Sequence, residues 1–123
     1  MNKKILISVF AAALFVGGIS IIELNRRVPQ EPGSAAIENL ATCLKKSGAV
    51  FYGAGWCSHC ANQKSEFGAY AAELPYVDCP ADPHVCLQLN INAYPTWVMP
   101  DGQRLVGEQS LSDLAKASGC RLQ

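Results

Sequence analysis

The sequence has no surplus of charge of either sign. Ten lysines and arginines balance ten aspartates and glutamates, for a formal net charge of +0. A nucleic-acid binder would show a basic excess or stripe, so that class of partner is excluded. There is no internal repeat and no low-complexity tract, which excludes a repeat array. No segment reads as a dimerisation element, and a monomer is expected. At 123 residues the chain has room for one small domain and no more.

A signal-peptidase site is also missing. Lys3 and Lys4 precede an uncharged run from Ile5 to Ile22. As a helix rising about 1.5 Å per residue, that run spans roughly 27 Å, just enough for a bilayer core of about 30 Å. It is apolar on every face and follows a basic start, unlike a buried core helix. Its small residues Ala11, Ala12 and Ala13 fall inside the run, while Glu23, Leu24, Asn25 and Arg26 follow it; neither position suits cleavage. Residues 1–23 are expected to be an uncleaved membrane anchor, with a cleaved signal segment as the alternative. Lys3 and Lys4 on the inner side put the remainder outside, although Arg26 and Arg27 on the far flank oppose that orientation. The expected location is periplasmic or extracytoplasmic, tethered to the inner (cytoplasmic) membrane. Six cysteines in so small a domain agree with a compartment where disulfides persist.

Residues 24–34, polar and holding Pro29, Pro32 and Gly33, read as a linker to a domain over 35–123. Ile37, Leu40 and Leu44 share one face of a helix from Ala35 to Ser47, with Ser34 as cap and Gly48 at its end. Ala49–Tyr52 reads as a short buried strand. Cys57–Leu74 reads as one helix whose inner face holds Cys60, Phe67, Ala71 and Leu74, stopped by Pro75. Tyr76–Asp78 is a second strand, which makes a parallel crossover unit. Pro80 and Pro83 imply a loop, with a helical turn or two over Val85–Leu89. Thr96–Met99 and Arg104–Val106 form a hairpin around Pro100-Asp101-Gly102. Ser110 and Asp113 give a capping pattern for a last helix ended by Gly119. The expected fold is α/β, in the order helix, βαβ, connector, β-hairpin, helix.

The chemistry centres on Cys57-Ser58-His59-Cys60, which follows a strand and a small-residue turn and opens a helix. A thiol there feels about half a positive charge and meets free backbone N–H groups. A free cysteine titrates near 8.5, whereas C-x-x-C thiols at helix starts fall to about 3.5–7.5. Cys57 at the exposed end would be the nucleophile. Cys60, one turn in and shielded, would resolve the mixed disulfide. His59 adds a donor or positive charge beside Cys57, which would make the disulfide more oxidising. Two competing readings of the motif are half of a zinc site, completed by Cys79, His84 or Cys86, and a purely structural Cys57–Cys60 bond. No metal and no cofactor other than a redox-active disulfide is expected.

This order resembles the thioredoxin fold with its first strand missing. Trp56-Cys57-Ser58-His59-Cys60 is similar to a thioredoxin active site, and Tyr94-Pro95-Thr96 to that fold's cis-proline segment. The resemblance is closer to the thioredoxin-like domain that partners bacterial vitamin K epoxide reductase homologues, fused or separate. It runs through Phe51–Cys60, Gln63-Lys64, Phe67-Gly68, Leu74–Val77, a second cysteine pair like Cys79 and Cys86, and Tyr94–Trp97, over about residues 35–118. It implies that a membrane vitamin K epoxide reductase-like oxidase oxidises Cys57–Cys60 and that the disulfide passes to reduced secreted or periplasmic proteins. It carries over Cys57 as nucleophile, Cys60 as resolving thiol and Pro95 as the cis-proline beside the sulfurs, leaving the Tyr94 backbone free to pair with an extended substrate. Trp56 would cover the site and set approach. Two positions depart from the pattern. Thioredoxins carry a buried acid six residues before the first motif cysteine, where this chain has Phe51, and position 58 is Ser where the partner family usually has Pro.

Cys79 and Cys86 enclose a Pro-containing loop and are expected to form a local structural disulfide, with an electron relay as the alternative. Cys43 and Cys120 remain. They could bridge two helices, stay as buried thiols, or bond another chain. His84 is expected to be exposed and inert, and Phe51, Tyr52 and Trp97 to be core. Functions that compete with an oxidant are a reductase or isomerase of the same fold, a copper or zinc carrier through Cys57 and Cys60, and an anchored interaction domain without activity.

Overall fold

The computed structural model describes residues 32–123. The expected anchor and all but the end of the linker lie outside the described residues. Among those described, no helix is long and apolar enough to cross a membrane. The elements run α1 (Pro32–Ser47), β1 (Val50–Gly53), α2 (Ser58–Ser65), a 3₁₀ segment (Gly68–Glu73), β2 (Tyr76–Asp78), α3 (Pro83–Gln88), β3 (Thr96–Val98), β4 (Arg104–Val106) and α4 (Leu111–Ser118).

The four strands form one sheet in the order β2-β1-β3-β4. β1 pairs with β2 in parallel, and the β1–β3 and β3–β4 pairs are antiparallel. This mixed α/β arrangement is compatible with a thioredoxin-like fold. Side chains on a strand alternate between faces, so Phe51 and Tyr52 enter two different cores. Phe51 joins Leu40, Leu44, Phe67, Trp97, Met99 and Leu114 on one face, whereas Tyr52 joins Cys79, Cys86 and Ile91 on the other. Phe51 stacks on Trp97 with ring centroids 4.8 Å apart and meets the edge of Tyr76 at 5.1 Å. These are its cross-strand partners on either side.

Two expectations are corrected. The segment Cys57–Leu74 is not one helix: α2 ends at Ser65 and a 3₁₀ segment follows. Gly68, which opens that segment, has φ +51°, a left-handed conformation that an α-helix does not continue through and that glycine adopts without a steric penalty. The first helix starts at Pro32 rather than Ala35, and Ser34 lies within it instead of capping it. Proline suits a helix's first turn because the N–H it lacks has no partner there. The hairpin and the last helix follow the sequence reading. Gly102 turns at φ +85°, the Ser110 hydroxyl accepts from the Asp113 N–H at 3.1 Å, and Gly119 ends α4 at φ 73°.

Candidate active site

Cys57 is the N-cap of α2. Its carbonyl accepts the Ala61 N–H at 3.1 Å, which leaves the thiol at the helix mouth, where N–H groups have no helical partner. The side chain is 9% exposed. Burial alone would raise its pKa. The backbone N–H groups of Cys60 and His59 and the Cys60 thiol together outweigh that and bring it below the usual thiol value, while the Glu108 carboxylate pushes back up. Cys60, 1% exposed, goes the other way. Burial drives its pKa up to about 11, against the Ala54 backbone hydrogen bond and the Lys64 charge, with Cys57 adding to the rise. The two thiols are both free, and their surroundings shift them in opposite directions, Cys57 toward easier loss of its proton and Cys60 toward keeping it.

Gly53, at the end of β1, sets how closely Cys60 approaches the sheet. A Cβ at position 53 would stand 2.7 Å from the Cys60 sulfur and 3.0 Å from the Tyr76 ring, so only glycine fits. Across the site, the Tyr94–Pro95 peptide bond is cis and Pro95 is fully buried. The Cys57 thiol faces the Tyr94 carbonyl at 3.8 Å. Trp56 is 74% exposed, its ring edge-on to Tyr94 with centroids 6.2 Å apart. Together Trp56 and Tyr94 open onto a groove of about 220 Å³, lined further by Pro80, Pro83, Leu87 and Ile91 and floored by Cys79 and Cys86.

The His59 ring does not turn to Cys57. Its Nδ1 pairs with Glu108 Oε1 at 2.6 Å, an oxygen that also accepts from Asn62 Nδ2 at 3.2 Å. These bonds hold the Glu108 carboxyl below its usual range. The contribution of His59 to Cys57 therefore runs through its backbone N–H. A residue that residue-level reading missed is Gln63. It is fully buried; its Nε2 donates to the Gln109 carbonyl at 3.0 Å, and its Oε1 accepts from the Gln109 N–H at 2.7 Å and from Trp97 Nε1 at 3.4 Å. It ties the active-site helix to the segment before α4. A buried polar residue on an otherwise apolar helix face was the available signal.

The remaining cysteines pair as Cys79–Cys86 and Cys43–Cys120. The first bond holds two of the three side chains that a zinc site with Cys57 and Cys60 would draw on. The third, His84, is exposed and its Nε2 faces Gln88 at 3.5 Å.

No family model matches the chain. It is similar to a thiol–disulfide oxidoreductase. That relative, thiol-disulfide oxidoreductase LTO1 of Arabidopsis thaliana, is 42% identical over 92 residues, which cover 68% of this chain and 24% of the relative. The chain thus spans about a quarter of that relative's length. Together with two adjacent thiols of opposite character on a thioredoxin-like frame, the likeness to LTO1 supports an oxidoreductase.

Proposed function

We propose that the protein is a thiol–disulfide oxidoreductase that passes a Cys57–Cys60 disulfide to the thiols of secreted or periplasmic proteins. The observation that carries this reading is the divided character of the pair: a Cys57 pKa lowered at a helix mouth and a buried Cys60 pKa raised to about 11. A client thiolate attacks the Cys57 sulfur of the oxidised pair, and Cys60 leaves. A second client thiol then attacks the client's own sulfur in the mixed disulfide and releases Cys57 as its thiolate. The client gains a disulfide and the protein becomes the dithiol. Stabilising the Cys57 thiolate favours the dithiol form, and so makes the disulfide more oxidising. The Tyr94 backbone beside the sulfur would pair with an extended client segment, and Trp56 would line its path.

Re-oxidation is assigned to a membrane vitamin K epoxide reductase-like enzyme, on the resemblance of the Phe51–Cys60 and Tyr94–Trp97 strings to that enzyme's partner domain. The extracytoplasmic side is assigned on the basic start and apolar run of residues 1–23 and on two further cysteine pairs that are bonded. The deciding experiment equilibrates the chain in glutathione buffers and reads the Cys57–Cys60 reduction potential. A value above about −200 mV is expected and places the protein with disulfide donors. A value near or below about −270 mV would reverse the direction to a reductase or isomerase.

A further inference from the structure

The face of the sheet beneath α2 holds more than the cysteine pair. Strand alternation puts Phe51 and Gly53 of β1 and Tyr76 and Asp78 of β2 on that one face, and the register sets Phe51 opposite Tyr76 and Gly53 opposite Asp78. Because position 53 has no side chain, Cys60 and Tyr76 both close in on it: a Cβ there would lie 2.7 Å from the Cys60 sulfur and 3.4 Å from the Tyr76 hydroxyl oxygen. The thiol and the phenol thus approach the same point on β1. The Asp78 carboxylate lies alongside, its Oδ2 3.5 Å from where a Cβ on Gly55 would stand. Lys64 covers the phenol, its Nζ 3.4 Å from the ring centroid.

Two buried atoms in this group, the Tyr76 hydroxyl and Asp78 Oδ1, have no hydrogen-bond partner. Buried polar atoms are nearly always paired, and an unpaired one left in place destabilises the fold. Two such atoms beside one buried thiol call for a role. Cys60 supplies the need for one, because its sulfur must lose a proton whenever it attacks and regain one whenever it leaves. The residue six positions before Cys57 does not serve, since Phe51 is packed between Tyr76 and Trp97.

We propose that Tyr76 and Asp78 form the proton relay of Cys60, the Tyr76 hydroxyl passing protons between the Cys60 sulfur and the Asp78 carboxylate. The proposal rests on the thiol–disulfide exchange reading. When Cys60 resolves a mixed disulfide at Cys57, its S–H bond breaks and the Cys57–Cys60 bond forms. The client sulfur leaves with the electron pair of the old S–S bond. The Cys60 proton moves to the Tyr76 oxygen as the phenol's own proton moves to Asp78 and on to solvent, each step through a bridging water, since the hydroxyl bonds directly to neither group. In the donating direction the client thiolate attacks Cys57, Cys60 departs with the electron pair, and the proton returns by the same route. No further oxidant or reductant enters. Burial, then the charges of Asp78, Cys60, Cys57 and Tyr94, hold the Tyr76 pKa up to about 12. The phenol thus stays protonated at neutral pH and serves as a conduit, with Lys64 as the cation over its ring.

The test follows the chain after reaction with glutathione disulfide, from about pH 6 to pH 10. Mass spectrometry after acid quench times the loss of the Cys57–glutathione mixed disulfide, and iodoacetamide uptake reports Cys57 alone. Tyr76→Phe and Asp78→Asn each preserve shape, and either one suffices if the other fails to fold. Each is expected to slow resolution about tenfold or more at neutral pH, with Cys57 alkylation unchanged. The deficit should shrink as pH rises toward the Cys60 pKa of about 11. Wild-type rates in both variants, or a deficit equal at every pH, would overturn the relay and leave the exchange reading standing. If wild-type Cys60 never resolves the mixed disulfide, the exchange reading falls and the relay with it.

Discussion

At the scale of single residues, the site works by opposing the burial of one thiol and leaving that of its neighbour unopposed. Cys57 is buried, yet N–H groups at the helix mouth reverse the effect, while three residues on Cys60 has too few donors to do so. Alkylation of Cys57 by iodoacetamide is therefore expected to reach half its maximum at a pH below the free-cysteine value of about 8.5. Glu108 opposes this, since its negative charge disfavours a second one on Cys57. Removing the charge with Glu108→Gln should move the alkylation midpoint further down and raise the reduction potential. The shift should be small, because the carboxylate is exposed, and should fade with added salt. An upward shift would show that the Glu108 charge does not oppose the Cys57 thiolate.

At the scale of elements, α2 is only eight residues long and depends on its neighbours to stay in place. Gln63 makes that connection: one buried amide satisfies both backbone groups of Gln109 and the Trp97 indole. Gln63→Leu keeps the bulk but strands those three groups, and a loss of about 2–3 kcal/mol is expected from urea unfolding. Because Gln109 follows Glu108, the same variant should also disturb the His59–Glu108 pair. Helix, strand and hairpin were legible from periodicity and from turn residues such as Pro100-Asp101-Gly102. The break at Gly68 was not, because Phe67, Ala71 and Leu74 keep a helical spacing across it. An apolar pattern reports which side chains face inward, and a 3₁₀ segment can satisfy it as well as an α-helix does.

At the scale of the whole molecule, two disulfides act at different lengths. Cys43–Cys120 joins α1 to the end of the chain with a sequence separation of 77, whereas Cys79–Cys86 closes a separation of 7. Loop-closure entropy scales with the logarithm of that length, so replacing both cysteines by serine should cost about 4.5 kcal/mol for the long bridge and about 2.4 kcal/mol for the short one. Urea unfolding of each variant, with Cys57 and Cys60 held reduced, checks the order. Equal losses would mean that packing around the bonds, and not chain closure, sets their contribution.

The linear order of residues was enough to locate the C-x-x-C pair, its helix and the four strands, because these depend on neighbours a few positions apart: spacing for two sulfurs, period two for strands, capping residues for helix ends. Pairing Cys43 with Cys120 required the chain to bring α1 and the end of α4 together, a contact that no local pattern encodes. The aim of His59 at Glu108, 49 positions away, is of the same kind. So is the group around Cys60. Tyr76 and Asp78 read as an ordinary short strand until the parallel register set them opposite Phe51 and Gly53. Only that pairing brings the next strand's polar atoms beside the glycine on which Cys60 closes.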